Sequence, residues 1–178
     1  AVNDATMTTS GLITALTTPF DLAHTIDHGA LSAHLQFLWQ AGCRHLLVSG
    51  TTGEFFSLEP EERIQLLKTA RRSFNGTIMF QAGADVLSIT LRLTRAASVE
   101  GADSVLCLPP WYLTGAPVEG VIRYFETVSL ACPVPFPMYH YPRHTRFYLT
   151  PPMIARIPHA RIKDAAADVS LIAHTPTS

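Results

Sequence analysis

The feature that most constrains the fold of this chain is a regular alternation between short apolar runs and segments with helical spacing. Six apolar runs of strand length follow one another from Gly11 onward, each followed by a helical pattern or by the start of one. Apolar strands that alternate with helices are typical of a parallel sheet covered by helices, in a (β/α)8 barrel or an open doubly wound sheet. The predicted strands are Gly11–Thr17, His45–Ser49, Ile78–Gly83, Asp103–Leu108, Phe136–Tyr139 and Ala160–Lys163.

The segments between these strands carry recognisable helix signals. Leu31, Leu35, Leu38 and Trp39 have the i, i+4, i+7, i+8 spacing of an amphipathic helix that ends at Gly42. A second helix is predicted to begin at Pro60 with Glu59 as its cap. Further helices are predicted around Ile89–Ala97 and over Val118–Ala131, and Leu149–Pro158 is predicted to be a capped helix followed by a turn.

Two observations favour the barrel and limit its extent. The first predicted strand is not followed by a Gly-x-Gly-x-x-Gly fingerprint, which argues against a dinucleotide-binding sheet. A complete (β/α)8 barrel takes about 250 residues, whereas this chain has 178. We therefore predict an incomplete (β/α)8 barrel of about six βα units over residues 11–178, in an α/β fold. Residues 1–10 have neither the basic nor the apolar region of a signal peptide and are predicted to be a disordered leader.

Composition excludes several classes of partner. With 47% hydrophobic residues, and 13 Lys and Arg against 14 Asp and Glu, the chain fits one compact domain and gives no electrostatic reason to expect nucleic acid or a membrane surface. No apolar run approaches the roughly 20 residues of a membrane span. The three cysteines, Cys43, Cys107 and Cys132, lie far apart in apolar surroundings. We expect buried thiols in a reducing compartment, which predicts a cytoplasmic protein.

Polar residues stand at the carboxyl ends of the predicted strands, where α/β proteins bind ligands. Thr51 and Thr52 follow the second strand, Tyr112 follows the fourth, and Tyr139 and Lys163 end the fifth and sixth. A lysine desolvated at such a site becomes a free amine that can form a Schiff base. A tyrosine facing it can transfer protons. Paired hydroxyls beside a glycine turn can bind a carboxylate together with backbone N–H groups.

Each of these residues also has a structural explanation when it is taken singly. Gly50-Thr51-Thr52-Gly53 can be a simple loop, Tyr139 a core aromatic and Lys163 a surface charge. His24 and His28 have ligand spacing but lack a third partner nearby, so they are interpreted as a solvated pair and no metal site is predicted. The joint placement of the hydroxyls and the amine at one rim is what favours a catalytic site.

The motifs as a set resemble the dihydrodipicolinate synthase/N-acetylneuraminate lyase family. The resemblance runs from about Gly11 to Asp168, with the motifs in family order. The motifs are Gly11–Phe20 (GLITALTTPF), Gly50–Glu54 (GTTGE), Leu108–Tyr112 (LPPWY), Met138–Pro142 (MYHYP) and Ile162–Asp164 (IKD).

This resemblance implies a class I, pyruvate-dependent lyase or aldolase that needs no metal or organic cofactor. Lys163 matches the imine-forming lysine, and Tyr139 matches the tyrosine that relays protons to and from the imine. Thr51 matches the threonine that links this tyrosine to a second one. Thr52 matches a hydroxyl that helps to hold the pyruvate carboxylate, with Gly50 and Gly53 forming the turn around it. Tyr112 matches the second tyrosine, which in synthases of the family reaches into the neighbouring subunit's site, and a homo-oligomer (dimer or tetramer) is expected.

Three departures from the family pattern bear on the second substrate. His140 replaces a frequent asparagine, and His144 stands at the position of a substrate-binding arginine, with Arg143 beside it. Arg146 replaces a glycine and is expected to resist a positive φ. These departures favour aldolases of the 2-keto-3-deoxy sugar acid type over dihydrodipicolinate synthesis, and parts of the motifs also resemble 5-dehydro-4-deoxyglucarate dehydratases.

The incompleteness of the predicted barrel leaves two further alternatives open. Without the last two strands, the first and sixth strands would have unpaired edges. We expect either an incomplete barrel that depends on self-association or part of a longer protein. A non-catalytic remnant that acts as a binding or assembly module is the alternative to an enzyme.

Overall fold

The chain folds into parallel strands in sequence order with helices packed along one face of the sheet. The computed structural model describes residues 11–157, 160–167 and 169–174, so the predicted leader lies outside the described residues. The strands are β1 (Thr14–Ala15), β2 (His45–Val48), β3 (Thr77–Gln81), β4 (Ser104–Leu106), β5 (Pro137–His140) and β6 (Arg161–Asp164). The helices are α1 (His28–Gln40), α2 (Pro60–Ser73), α3 (Leu87–Val99), α4 (Val118–Ala131), α5 (Pro142–Thr145), α6 (Pro151–Ile154) and α7 (Val169–His174).

The strands form one continuous parallel layer. β1 to β4 pair in order, and β5 pairs with β6. A parallel bridge between Cys107 and Met138 joins the two groups, and the Tyr139 amide donates to the Cys107 carbonyl at 2.7 Å. Within the described ranges, β1 pairs only with β2 and β6 only with β5. This order confirms the predicted α/β class and is consistent with the predicted incomplete barrel of about six βα units.

The predicted boundaries differ from the observed ones mainly at the edge strands and at the helix before β6. β1 is two residues long rather than the seven predicted, and within the described ranges it pairs with β2 alone. β6 begins one residue later than predicted and includes Asp164. The predicted helix and turn over Leu149–Pro158 consist of the single helical turn of α6 and further turns up to Ile157, and Pro158 lies outside the described residues. Pro151 and Pro152 fit the start of α6, where a backbone N–H group has no partner within the helix.

The sheet separates two apolar clusters, as the alternation of side chains along strands requires. The outer cluster lies between the sheet and the helices and contains Ile78, Phe80 and Met138 together with Leu35, Leu67 and Phe125. The inner cluster lies on the opposite face, and its members are Leu47, Phe55, Met79, Leu106, Leu108 and Tyr139. The inner cluster is the floor on which the strand-end residues rest.

Helix α2 shows how the sequence fixes an element next to the site. Pro60 is its first residue, as predicted, and the Glu62 carboxylate accepts a hydrogen bond from the Glu59 amide at 2.8 Å. Glu61 and Glu62 in the first turn complement the positive end of the helix dipole. The helix therefore starts at a fixed point, a few residues beyond the loop that follows β2.

The cysteines are free thiols with different degrees of burial. Cys107 and Cys132 are buried as predicted, whereas Cys43 is only partly buried. Burial raises the pKa of Cys107 to about 12 and that of Cys132 to about 11. Both thiols are therefore protonated and unreactive near neutral pH. Within the described ranges, no helix combines the length and the apolar character needed to cross a membrane.

Candidate active site

The loop after β2 is folded tightly against the end of β1. Gly53 donates to the Gly50 carbonyl at 3.1 Å, and its own carbonyl accepts from the Thr18 hydroxyl at 2.7 Å. A Cβ on Gly53 would lie 2.8 Å from the Leu16 carbonyl oxygen, closer than real Cβ atoms come. Only glycine fits at this contact, and the contact fixes the two threonines between the glycines.

The two threonines of this loop have different surroundings. Thr51 is partly buried, and its Oγ1 is fully buried without a direct hydrogen bond to any described residue. Thr52 is exposed to solvent. One hydroxyl thus faces the interior of the site, and the other lies at its surface.

Lys163 and Tyr139 face each other across the β5–β6 ladder. They are paired in the parallel register, and the Lys163 Nζ lies 3.9 Å from the centroid of the Tyr139 ring. Tyr139 is 4% exposed within the inner cluster, and Lys163 is partly buried. The amine is therefore held against an aromatic face rather than extended into water.

Burial shifts the pKa values of this pair in opposite directions. Desolvation lowers the pKa of Lys163 from its usual 10.5, because the charged ammonium is disfavoured there. Desolvation raises the pKa of Tyr139 from its usual 10.0, and the neighbouring Thr51 hydroxyl partly opposes this shift. Since the Thr51 Oγ1 makes no direct hydrogen bond, the two hydroxyls are close neighbours rather than a bonded pair. The site combines an amine whose pKa is below that of an exposed lysine with a phenol whose pKa is above its usual value.

An aromatic cleft of about 300 Å³ adjoins the lysine–tyrosine pair. Tyr141 belongs to the cleft wall and stacks on Tyr139, with ring centroids 5.3 Å apart and an interplanar angle of 24°. The His144 ring meets the Tyr141 ring edge-on, with ring centroids 4.4 Å apart. The residues that line the cleft are Thr51, Phe55, Phe56, Leu108, Trp111, Tyr141, His144 and Thr145.

A buried arginine fixes the rim on which the β2 loop begins. The Arg63 Nε donates to the Ser49 hydroxyl at 3.0 Å, and its Nη1 donates to the Gly83 carbonyl at 3.2 Å. Its guanidinium also donates to the Gln81 carbonyl. Burial lowers the pKa of Arg63 to about 10, so the group stays charged at neutral pH. Arg63 from α2 thereby ties the ends of β2 and β3 together.

The structure brings some of the predicted site residues together and leaves others apart. Lys163, Tyr139 and Thr51 meet at the ends of β5, β6 and β2. Tyr112 is 83% exposed, and its amide donates to the Asp85 carboxylate at 2.9 Å. Thr52, Arg143 and His144 are exposed, although His144 also lines the cleft. Gly50 and Gly53 form the tight turn that was predicted.

The sequence did not identify three residues that line the cleft or hold its loops, and the expectation for the backbone of Arg146 was wrong. Tyr141, Thr145 and Asp85 were missed. Only Tyr141 carried a signal, because it lies two residues beyond Tyr139 and therefore faces the same side of an extended chain.

Arg146 was expected to resist a positive φ, yet it adopts φ 54° and ψ 16° at the end of α5. Its amide donates to the Pro142 carbonyl at 2.9 Å, a bond that ends the helix and compensates part of the strain. In the part of the chain that the structure describes, no group of three or more His, Cys, Asp or Glu residues could hold a metal ion.

Comparison with known proteins identifies the family. The model of the dihydrodipicolinate synthetase family matches residues 8–176, nearly the whole chain. The chain belongs to this family. A 4-hydroxy-tetrahydrodipicolinate synthase from Bacillus velezensis is 32% identical over 180 residues, which cover 96% of this chain and 62% of that protein.

Solved structures of the dihydrodipicolinate synthetase family have the same fold. A variant of the 2-keto-3-deoxygluconate aldolase from Sulfolobus solfataricus matches with a TM-score of 0.84 and 27% identity, over 91% of this chain and 55% of that one. A prophage protein of the family from E. coli, in complex with pyruvate, matches with a TM-score of 0.86 and 26% identity, over 94% and 58%. The chain thus spans less than two thirds of the length of these relatives, whose names include both synthases and aldolases.

Proposed function

We propose that this chain carries the Schiff-base site of a class I, pyruvate-dependent lyase or aldolase that acts on 2-keto acids of the 2-keto-3-deoxy sugar acid type. The observation that carries the proposal is the Lys163 amine 3.9 Å from the centroid of the Tyr139 ring, with desolvation lowering the pKa of the amine. A lysine selected only for solubility gains nothing from such a position, whereas an imine-forming lysine needs its lone pair free.

Lys163 and Tyr139 would have different roles in imine formation. The Lys163 amine adds to the ketone carbon of pyruvate, and the resulting hydroxyl leaves as water after it takes a proton. Tyr139 is suited to donate that proton, because burial keeps its phenol neutral. The cationic imine then withdraws electrons from the adjacent methyl carbon, which loses a proton and becomes an enamine. The enamine adds to an aldehyde carbon, and hydrolysis of the imine releases the product and the free amine.

The β2 loop is proposed to hold the carboxylate of the keto acid. The buried Thr51 Oγ1 has no direct hydrogen bond to a described residue, so a substrate oxygen can accept its proton without displacing a protein partner. Thr52 and the backbone of the Gly50–Gly53 turn lie beside it. A carboxylate bound there places the adjacent ketone toward Lys163 and Tyr139.

The character of the adjoining cleft supports a neutral second substrate. Among the described residues that line it, none is Asp, Glu, Lys or Arg, and most are aromatic or apolar. Arg143 is exposed and does not line the cleft. An aldehyde that carries its own carboxylate would therefore find no permanent counter-charge in this wall, whereas a neutral hydroxyaldehyde needs none. Dihydrodipicolinate synthesis is the second candidate, favoured by the name of the relative that is 32% identical.

Trapping with borohydride tests the Schiff base directly. The sequence contains two lysines, Lys68 and Lys163, so a reduced pyruvate adduct is easily mapped by mass spectrometry. We expect the adduct on Lys163, its loss in Lys163→Met and its retention in the matched variant Lys68→Met. Tyr139→Phe should slow trapping by roughly 10²- to 10⁴-fold, since the ring stays and the proton donor is removed. A folded wild-type chain without any adduct would support the non-catalytic remnant instead.

A panel of aldehydes distinguishes the two candidate reactions. Product formation from pyruvate is measured with glyceraldehyde and with aspartate semialdehyde at equal concentrations. We expect glyceraldehyde to react at least about tenfold faster, because burying an unpaired carboxylate costs well over 1 kcal/mol. The reverse preference would favour dihydrodipicolinate synthesis.

We further propose a cytoplasmic homo-oligomer, a dimer or tetramer. The exposed apolar side chains beside the site, Tyr112 at 83% and Leu113 at 64%, support association through this rim. The free cysteines are consistent with a reducing compartment.

A further inference from the structure

A buried histidine–carboxylate pair lies on the side of the sheet opposite the lysine–tyrosine pair. His140 and Asp164 directly follow Tyr139 and Lys163 and are paired with each other in the same ladder. The His140 Nδ1 lies 3.1 Å from the Asp164 Oδ1, and the two side chains are 1% and 3% exposed. Because successive side chains alternate between faces, this pair points toward the outer layer while Tyr139 and Lys163 point inward.

The contact is close but not aligned as a hydrogen bond. Neither ring nitrogen of His140 has a hydrogen-bond partner in direct geometry among the described residues. The Tyr148 ring meets the imidazole edge-on with centroids 6.1 Å apart. The Asp164 Oδ1 also accepts from the Ala166 amide at 3.0 Å. The imidazole is therefore enclosed between an aromatic ring and a carboxylate that is itself held by the backbone.

The position of this pair matters because β6 is held from one side. In the described ranges β6 pairs only with β5, over four residue pairs. A slip of one residue in this ladder would turn Lys163 to the outer face, since the side-chain period of a strand is two. A specific side-chain contact at the end of the ladder opposes that slip. The Ala165 amide, which donates to the His140 carbonyl at 2.9 Å, extends the same register by one bond.

We propose that His140 and Asp164 are positioning residues that hold β6 in register and thereby keep the Lys163 amine over the Tyr139 ring. The proposal rests on the proposed function in that the positioned amine is the imine-forming one. Neither residue is among those that line the substrate cleft. They act through the backbone of the two residues that precede them.

The two lysines make the position of Lys163 observable without any substrate. In protein labelled with ¹³C-lysine, each lysine gives its own ε-methylene signals. A methylene next to an aromatic face experiences the ring current, so the Lys163 signal should be shifted upfield of the Lys68 signal. Lys68 lies on α2 and pairs with Glu100 at 3.3 Å, away from this site. Thermal unfolding of each variant is followed by circular dichroism as the measure of stability.

The variants separate positioning from general destabilisation. In His140→Leu and Asp164→Asn, we expect the Lys163 signal to move toward the Lys68 position and the trapping rate at saturating pyruvate to fall about 10- to 100-fold, as for a misplaced reacting group. His140→Asn keeps a polar side chain that can contact the carboxylate and should keep the shifted signal and a trapping rate within about threefold of wild type. Met138→Ala removes a fully buried side chain from the same outer face and is the matched control. It should lower the unfolding temperature while leaving the Lys163 signal in place.

The results of these measurements can contradict the positioning role of His140 and Asp164 separately from the proposed function. An unshifted Lys163 signal in the wild type, an unchanged signal in folded His140→Leu and Asp164→Asn, or an equal displacement in Met138→Ala would overturn it. A wild-type chain with the shifted signal but no pyruvate adduct would contradict the proposed function and leave the positioning role intact. If His140→Leu does not fold, Asp164→Asn and His140→Asn still give opposite expected results.

Discussion

The two lysines of this chain show how surroundings, rather than residue type, determine the hydration of a lysine amine. Lys68 lies on a helix and pairs with Glu100 at 3.3 Å, and its side chain is 35% exposed. Lys163 lies at the end of a strand with its amine against the Tyr139 ring. The ring face partly offsets the loss of hydration, so the amine is retained inside the site while its proton becomes easier to remove.

The pH at which Lys163 loses its proton should reflect the burial of its amine. Desolvation lowers its pKa, so the free amine should persist at pH values below the ordinary 10.5. We expect the rate of Lys163 acetylation, measured by mass spectrometry over a pH series without substrate, to rise with pH and to have its midpoint below 10.5. Tyr139→Phe retains the ring and most of the burial and should keep that midpoint low. A midpoint at or above 10.5 in the wild type would show that the amine is hydrated in solution.

At the scale of an element, the loop Gly50–Glu54 places the threonines by excluding side-chain volume. Gly53 has no room for a Cβ, because the Leu16 carbonyl oxygen would lie 2.8 Å away in the backbone of the neighbouring strand. We expect Gly53→Ala to lower the free energy of unfolding by about 1–3 kcal/mol, as overpacking does, and to displace Thr51. The concentration of pyruvate that gives half-maximal trapping should therefore increase. Denaturant titration and trapping measure the two effects.

Gly120 provides a matched control for this substitution. It lies in the first turn of α4, where a Cβ would meet nothing within 4 Å. Gly120→Ala should raise the free energy of unfolding by about 0.5–1 kcal/mol, because glycine is costly inside a helix. The half-saturating pyruvate concentration should not change. Equal effects of the two substitutions on pyruvate would show that the loop contact does not position Thr51.

Helices, strands and strand ends were predictable from the sequence, whereas contacts between loops were not. Burial on both faces makes strands such as Ile78–Gly83 visible as apolar runs, and the cap at Glu59 marks the start of its helix. The direction of Tyr112 depends on how its loop is held by Asp85, a contact across 27 residues without a local signature. Arg146 shows the same limit, since the tertiary setting overrides its backbone preference.

For the molecule as a whole, Lys163 lies near the least supported part of the sheet. β2, β3 and β5 are almost fully buried, whereas the residues of β6 are all only partly buried and those of β1 are partly buried or exposed. In the described ranges β1 and β6 each have one strand neighbour, so each has an edge that another strand can pair with. The stability of the site is thus expected to depend on whatever covers these edges.

Hydrogen exchange of individual amides tests this dependence. The Leu16 amide donates to the Leu47 carbonyl at 3.0 Å and the Ala165 amide to the His140 carbonyl at 2.9 Å, so both report on edge strands. The Ala82 amide donates to the Leu106 carbonyl at 2.9 Å inside the sheet. We expect the opening free energies of the Leu16 and Ala165 amides to be lower than that of Ala82 by about 2 kcal/mol or more, since exchange protection follows local stability. Equal protection of all three amides would contradict this gradient.

The same amides reveal whether a second copy covers the edges. If chains associate through β1 and β6, the protection of Leu16 and Ala165 should rise with protein concentration, because mass action favours the associated state. The protection of Ala82 should change less, since its hydrogen bond already lies inside the sheet. The rate of pyruvate trapping per chain should then rise over the same concentration range, because Lys163 lies on β6, the strand that such association would support. Edge protection that is independent of concentration, together with constant trapping, would show that the edges do not join copies of this chain.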